Sequence, residues 1–347
     1  MKDKVLRHFR LQADACERLH SPFMAQLLRL LADNLHWEHP VFTMVRNWDP
    51  DRVKDDALAL RIAGGLHALV LSGQAVELAD VYPPAETSDE VLLGAIRDAV
   101  SAHESYLLHF LTFPPQTNEV GRSAALAAGF QVVHRETGMP LRTLELGASA
   151  GLNLNWDSFR IDYDGVSWGS DASNVHLQPR WTGKRPPMTP VTVSDRQGCD
   201  LSPLDIADDD LALRLRSYVW ADQRDRRKRL EAAIDLARTS QHMVIAASAE
   251  AWARQQLAVP QSGVVTVLYH SVFWQYLPDD KRAALTDVIR EAGRKASPDA
   301  PFAHLALEPD RDQKQQAALY LTLWPGGEER KLAEACYHGR WVRWSGG

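Results

Sequence analysis

The sequence predicts an α/β protein in which an all-helical N-terminal domain precedes a mostly parallel β-sheet with an antiparallel edge hairpin. Residues 1–135 show apolar residues at helical spacing and no convincing strand. From Leu141 onward, short apolar runs alternate with helical segments, which is typical of a parallel sheet with right-handed crossovers. The tail from Leu319 to Trp344 has short strands separated by tight turns, as in an antiparallel meander. We therefore expect two domains, 1–135 and 136–347, the second with an insertion around 160–200.

The helices of the first domain are marked by periodicity and by capping residues. Ser21 and Pro22 interrupt the first apolar pattern, and Ser21 is placed to cap the second helix. The expected helices lie at 7–34 (with that break), 56–71, 88–113 and from 118 to 128. In the second domain we expect strands at 141–146, 159–164, 191–195, 242–247, 264–269 and 302–307, and helices at 223–238, from 249, and at 278–292.

Composition excludes several classes of protein. A net charge of −6 argues against a general nucleic-acid or anionic-membrane binder, because both need a positive surface. The N-terminus lacks the apolar core of a signal peptide, and no apolar run is long enough to cross a bilayer. Three scattered cysteines form no CxxC pair, so we expect a reducing, cytoplasmic compartment and no metal site. The sequence leaves the oligomeric state open.

The most informative stretch follows the first strand of the second domain. Residues 147–151 have almost no side-chain bulk, so a ligand can approach the backbone there. A helix opening near Ala150 would aim its N–H groups and dipole at that ligand. Such a bend at the carboxyl end of a parallel strand is typical of a nucleotide-type pocket. The residues expected to bind the ligand here are Glu145, Gly147, Ser149, Gly151 and Asn153.

A polar loop lies just before this domain. Two prolines, Pro114 and Pro115, force an extended approach to a helix start. The loop and first turn present Gln116, Asn118, Glu119 and Arg122. These residues form either a capping box with a salt bridge or a substrate loop over the mouth of the next domain. Both interpretations remain open at this point.

The pattern Glu145-x-Gly-x-Ser-x-Gly151 resembles the first motif of class I S-adenosylmethionine-dependent methyltransferases, with Ser149 in place of the middle glycine. The whole chain also resembles a bacterial family of uncharacterised proteins, a domain of unknown function. The matching segments are 114–119, 145–154, 198–205, 219–223 and 338–341. The methyltransferase resemblance implies a Rossmann-like sheet, S-adenosylmethionine as cofactor and a small-molecule substrate. The Asn/Asp-Pro-Pro-Tyr signature of base methylation is absent, which argues against a nucleic-acid substrate.

The same resemblance implies roles for further residues. An acid at the tip of the second strand would hold the ribose, and Asp164, Asp200 and Asp222 are the candidates. Ser248 stands where an acid near the adenine is usual. After the fourth strand His270 is a candidate proton acceptor, because an imidazole titrates near working pH, and Glu308 could take the same role.

Two other functions fit parts of the sequence. Gly147-Ala-Ser149-Ala-Gly151 also spells the nucleophile elbow of α/β-hydrolases, with Asp310 or Glu308 and then His338 in suitable chain order. However, an elbow normally follows several strands, and here the first strand is the one that leads into it. The third possibility is a methyltransferase-like fold that binds a metabolite or a protein partner without catalysis.

Overall fold

The computed structural model describes residues 2–240 and 242–346. The chain forms two compact units, Met1–Thr117 with Ala207–Arg227, and Asn118–Ile206 with Lys228–Gly347. This division differs from the expected one at residue 135, because the last N-terminal helix falls in the second unit and a later segment returns to the first. In the described ranges, no helix is long and apolar enough to cross a membrane.

The helices follow the expected periodicity with several differences, and the short helices at Pro40–Arg46 and Val76–Asp80 were not expected. The helix expected over 88–113 is two helices, because the backbone leaves the helical region at His103. The helix expected to end at 128 continues to Thr137, and a helix at 209–217 was missed. The α-helices are α1 Lys2–Arg18, α2 Pro22–Asn34, α3 Pro40–Arg46, α4 Leu58–Leu71, α5 Val76–Asp80, α6 Asp89–Ala102, α7 Glu104–Phe110, α8 Ser123–Thr137, α9 Asp209–Ser217, α10 Arg224–Ser240, α11 Ala249–Gln256 and α12 Asp279–Lys295. Short 3₁₀ helices lie at Val120–Arg122, Leu152–Ser158 and Trp274–Tyr276.

The first unit is built around one apolar core. Phe9 of α1, Leu28 of α2, Phe42 of α3 and Ile62 of α4 are almost completely buried in it. Trp220, from the returning segment, belongs to the same core, which explains why that segment folds with this unit. Such contacts between apolar faces provide the main stabilisation of helical packing.

The strands of the second unit are β1 Leu141–Leu146, β2 Arg160–Tyr163, β3 Val166–Gly169, β4 His176–Leu177, β5 Arg180–Gly183, β6 Val193–Asp200, β7 Val244–Ala246, β8 Val265–Ser271, β9 Phe302–Pro309, β10 Ala317–Trp324, β11 Glu329–Ala335 and β12 Trp341–Trp344. The insertion contains a small sheet, β3-β2-β4, and the edge strand β5. β6 is longer than expected and carries Gly198, Cys199 and Asp200 within the strand.

Within the described ranges, the main sheet has nine strands in the order β5-β12-β11-β10-β9-β8-β1-β6-β7. β7, β6, β1, β8 and β9 are parallel, whereas β9 to β12 are antiparallel neighbours. This confirms the expected Rossmann-like, mostly parallel sheet with antiparallel strands toward one edge. The chain first adds β6 and β7 on one side of β1 and then β8 and β9 on the other. Ligands of open α/β sheets bind at such a switch point, outside the carboxyl ends of the strands.

Strand register assigns side chains at this end to two faces. Glu145 of β1 is level with Tyr269 of β8, whereas Leu146 is level with His270. Because side chains alternate along a strand, Glu145 and Tyr269 share one face and His270 belongs to the other. Phe130 of α8 packs edge-on against Tyr269 on the first face. α11 and α12 cover the opposite face in a separate apolar cluster.

Candidate functional site

In the bend after β1, residues 147–151, every second residue has a positive φ. φ is +67° at Gly147, +53° at Ser149 and +72° at Gly151. Glycine adopts this left-handed conformation readily, whereas a residue with a Cβ is strained in it. The bend therefore keeps a glycine-type backbone at Ser149 although that residue carries a side chain.

The end of β6 holds the bend in place. The Ala148 N–H donates to the Cys199 carbonyl at 3.0 Å, and the Ser149 N–H donates to Oδ2 of Asp200 at 3.0 Å. A Cβ on Gly198 would lie only 2.8 Å from the Ala148 Cβ. The close approach of β6 to the bend therefore depends on glycine at position 198.

Glu145 is a buried acid with few partners. Glu145 is 2% exposed, and the Tyr269 hydroxyl oxygen lies 3.2 Å from its Oε2. Burial raises the pKa of Glu145 to about 8; the Tyr269 hydrogen bond opposes the rise and the charge of Asp200 adds to it. The carboxyl group is therefore mostly protonated at pH 7. A protonated Glu145 can donate to the Tyr269 oxygen while the Tyr269 hydroxyl donates to the Asn153 carbonyl, 3.4 Å away.

The three candidate ribose acids have different surroundings. Asp200 ends β6, the strand that pairs with β1. Asp164 lies in the turn between β2 and β3 of the small sheet, and its side chain is 64% exposed. Asp222 lies in the first unit and accepts hydrogen bonds from the Ser21 hydroxyl and the Phe23 N–H. Asp222, not Ser21, is thus the side chain that caps α2. Asp200 is the one of the three next to the bend.

The segment after the bend differs from the expected helix. It is the short 3₁₀ helix Leu152–Ser158, and the Leu152 N–H donates to Oδ1 of Asn118 at 2.8 Å. The Asn153 side chain accepts from the Ser123 hydroxyl at 2.7 Å. The expectation of a helix aiming open N–H groups at a ligand is wrong here, because Asn118 takes the first of them.

The polar loop divides between the two units. Gln116 belongs to the first unit, where it accepts a hydrogen bond from Arg214. Glu119 accepts from the Gly121 N–H at 3.1 Å, which is a local cap. Arg122 donates to the carbonyls of Tyr337 and Ser271 at 3.0 and 3.1 Å. Asn118 and Arg122 therefore contact protein groups at the carboxyl end of the sheet, whereas the contact of Glu119 with Gly121 lies within the loop. Their role as substrate ligands stays a prediction.

The two candidate proton acceptors bind one another. His270 Nδ1 lies 2.7 Å from Oε1 of Glu308, and His270 Nε2 lies 3.0 Å from Nε2 of His304. Burial and the neighbouring His270 lower the pKa of His304 to about 3, so His304 is neutral at working pH. His270 is 1% exposed, with both ring nitrogens engaged, on the face opposite Glu145. The structure therefore separates these candidates from the Glu145 face of the bend.

The loop after β8 covers part of the bend. A Cβ at Gly147 would overlap the ring of Phe273, so the ring packs directly on the glycine backbone. The preceding Val272 has φ of +51°, which is a true outlier for a β-branched residue. Ser248, the remaining predicted residue, caps α11 through the Ala251 N–H, immediately after the third parallel strand.

The geometry does not assemble a hydrolase triad in the described part of the chain. The Ser149 Oγ is buried and has no hydrogen-bond partner there, so no imidazole is poised against it. Asp310 instead accepts hydrogen bonds from Lys331, Gln316 and Tyr320. Among the described residues, no group of three or more His, Cys, Asp or Glu could hold a metal ion.

The sequence analysis did not identify two residues that contact the candidate site residues, Tyr269 beside Glu145 and His304 beside His270. Tyr269 precedes His270 and was not assigned a role, yet it is the residue that reaches Glu145. Its signal was available in the pattern, because both residues lie on the same face if β1 and β8 pair in register. His304 gave no such signal, since its contact with His270 depends on the position of β9.

Comparison with known proteins adds a family and no activity. No curated protein and no solved structure matches the chain. The family described as "Uncharacterized protein conserved in bacteria (DUF2332)" matches residues 7–344. Because the match spans nearly the whole sequence, the chain belongs to this family.

Proposed function

We propose that the second unit binds S-adenosylmethionine at the bend after β1 and transfers its methyl group to a small molecule. The observation that best supports this is Glu145, a buried acid with few partners at the switch point of the sheet. Groups with perturbed pKa values cluster at functional sites, which makes Glu145 a candidate for one. A ligand that brings positive charge, as a sulfonium and an ammonium group do, would favour the ionised form of Glu145.

The residues around the bend suit an adenosyl ligand in three respects. Gly147 and Gly151 carry no Cβ, so a ligand can reach their backbone once the Phe273 and Val244 side chains that pack on them move aside, and Asp200 supplies a second carboxylate at the tip of the neighbouring strand. The buried Ser149 hydroxyl has no partner among the described residues and can bind a polar ligand atom. Glu145 would hold the sugar or amino-acid end, and Asp200 would hold the ribose hydroxyls.

The cofactor, when bound, supplies an activated methyl group, and the chain has to align the acceptor and take its proton. In-line displacement depends mainly on such positioning. For an oxygen or nitrogen acceptor, a base must receive the proton that the acceptor loses. His270 and Glu308 remain the sequence-based candidates for this role, although strand register places His270 on the face of the sheet opposite Glu145.

Calorimetric titration tests the proposal before any acceptor is known. We expect S-adenosylmethionine to bind the full chain and to release up to one proton at pH 7, because the bound cation ionises Glu145. Titrations in two buffers of different ionisation enthalpy measure that release. Glu145→Gln cannot ionise, so it should release no proton from this site and bind about 10- to 150-fold more weakly, the range for a lost charged hydrogen bond.

Asp164→Asn is the matched control, because Asp164 is a carboxylate of the same unit on an exposed turn. It should bind as the wild type does. Absence of binding by S-adenosylmethionine and S-adenosylhomocysteine at millimolar concentration would refute the proposal, as would equal binding by Glu145→Gln.

A second candidate function, the binding of a different metabolite or of a protein partner without methyl transfer, is favoured by one observation. The Phe273 ring lies against Gly147, where an adenosyl ligand would approach the backbone. A fold that binds a different metabolite or a protein partner without methyl transfer would keep that ring in place.

We also propose a cytoplasmic location, which is supported by Cys16, Cys199 and Cys336, all buried as free thiols.

A further inference from the structure

We propose that the loop between β8 and α12, residues 272–278, is a gate over the bend and that Phe273 is its plug. The inference rests on the proposed function for the identity of the ligand, but the gate itself is a property of the loop. In the closed position, the Phe273 ring occupies the space above Gly147 that only a glycine leaves open. A ligand reaching the backbone of the bend has to displace this ring.

Backbone strain at the base of the loop favours its movement. Val272 has φ of +51°, and a non-glycine residue held in this region costs on the order of 1–3 kcal/mol. Its N–H donates to the Leu307 carbonyl at 2.8 Å, so pairing with β9 fixes the strained conformation. Opening of the loop can release strain that the closed position stores, and this lowers the free energy needed to open it.

Glu308 is the latch that holds the gate closed. Its Oε1 accepts the N–H groups of Phe273 and Trp274 at 2.9 and 3.1 Å, besides the contact with His270. The Trp274 ring stacks on the His270 ring, with centroids 5.1 Å apart and planes 17° from parallel. One carboxylate thus ties two successive amides of the loop to β9, and charge-assisted hydrogen bonds of this kind are the strong ones.

The outer side of the loop is exposed to solvent. Tyr276 at the far end of the 3₁₀ helix is 71% exposed, and Gln275 is also exposed. Phe273 and Trp274 are only partly buried. Phe273, Trp274 and Leu277 pack against the apolar cluster under α11 and α12 while staying partly exposed, so opening breaks these contacts at the edge of the cluster and leaves the buried core folded.

Hydrogen exchange tests the gate without any ligand. In Glu308→Gln, which weakens the latch, we expect the amides of Phe273 and Trp274 to exchange at least tenfold faster than in the wild type. Glu291→Gln is the control, because Glu291 is an exposed carboxylate on α12 that pairs with Lys295. Unchanged exchange at Phe273 and Trp274 in Glu308→Gln would overturn the gate, whatever the ligand is.

Ligand binding supplies the second test. Phe273→Ala removes the plug and should bind S-adenosylhomocysteine about tenfold more tightly than the wild type in calorimetry. Tyr276→Ala, in the same loop, should bind as the wild type does. Equal binding by wild type and Phe273→Ala, or weaker binding by Phe273→Ala, would refute the plug and leave the proposed function standing. If neither protein binds, the proposed function fails, and the exchange result alone decides whether the loop is a gate.

Discussion

Glu145 and Glu308 are two buried glutamates near the carboxyl ends of β1 and β9, the strands on either side of β8, and they differ in how well they are partnered. Glu308 accepts hydrogen bonds from His270 and from two backbone N–H groups. Glu145 has the Tyr269 hydroxyl, and burial raises its pKa to about 8. A buried carboxylate needs donors to stay ionised. All three contacts of Glu308 fall on Oε1, and its buried Oε2 has no partner among the described residues. Oε1 of Glu308 therefore connects the loop after β8 to β9, whereas the carboxyl group of Glu145 retains binding capacity for a ligand.

The largest loss of unfolding free energy is expected on substitution of Glu308, which has more hydrogen-bond partners than Glu145. Glu308→Ala leaves the His270 ring and the amides of Phe273 and Trp274 without their acceptor. Each buried donor left without its acceptor typically costs about 1–3 kcal/mol, so the three together cost on the order of 3–5 kcal/mol. We expect a loss of unfolding free energy in that range by urea denaturation. A loss below about 1 kcal/mol, the scale of a single neutral hydrogen bond, would mean that Glu308 is not structural.

Glu145→Gln should have the opposite effect and increase the free energy of unfolding above pH 4.5. The folded pKa of Glu145, about 8, lies above its ordinary value of 4.5, so unfolding between these pH values releases a proton. The wild type therefore loses stability as pH rises from 4.5 to 8, by about 1.4 kcal/mol per pH unit from this residue. A glutamine side chain has the same shape but does not ionise, so the variant does not lose stability in this pH range.

The measurement is the difference in unfolding free energy between Glu145→Gln and the wild type, taken at several pH values. We expect it to be smallest below pH 4.5, to grow in favour of the variant up to about pH 8, and to be constant above that. A difference that does not change with pH would show that Glu145 ionises normally in the folded chain.

Asp310 extends the comparison to an acid that is fully paired. Burial alone would raise its pKa, but hydrogen bonds from Lys331 and Gln316 lower the pKa to about 2. Because this is below the ordinary 3.8, the stabilisation is fully present above pH 3.8 and is lost as pH falls through 2. We expect Asp310→Asn to remove on the order of 2 kcal/mol at pH 7 and to flatten the acid limb of the stability curve. An acid limb identical to that of the wild type would contradict the assignment.

The sequence was informative about the sheet and less so about the site, for physical reasons. Apolar periodicity and the small residues at 147–151 reflect local backbone preferences, so β1, the bend and the parallel strands could be predicted. The contacts of His270 with His304, and of Phe273 with Gly147, join distant segments. They depend on strand order and register, which a single sequence does not specify. Asn118 shows the same limit, since its partner is the Leu152 N–H, 34 residues later.

The smallest effect is expected at Tyr269, whose hydroxyl is the link between Glu145 and the Asn153 carbonyl. Tyr269→Phe removes one hydroxyl with its two weak contacts and should cost about 1 kcal/mol of unfolding free energy. The hydrogen bond with Glu145 lowers the pKa of that acid, so its loss should raise the pKa further. The pH range over which stability declines should then extend above 8, and this is measured with the same pH series as for Glu145→Gln. If the decline instead ends at the same pH as in the wild type, the Tyr269 hydroxyl does not oppose the protonation of Glu145, and the pKa of that acid is set by its burial without a contribution from Tyr269.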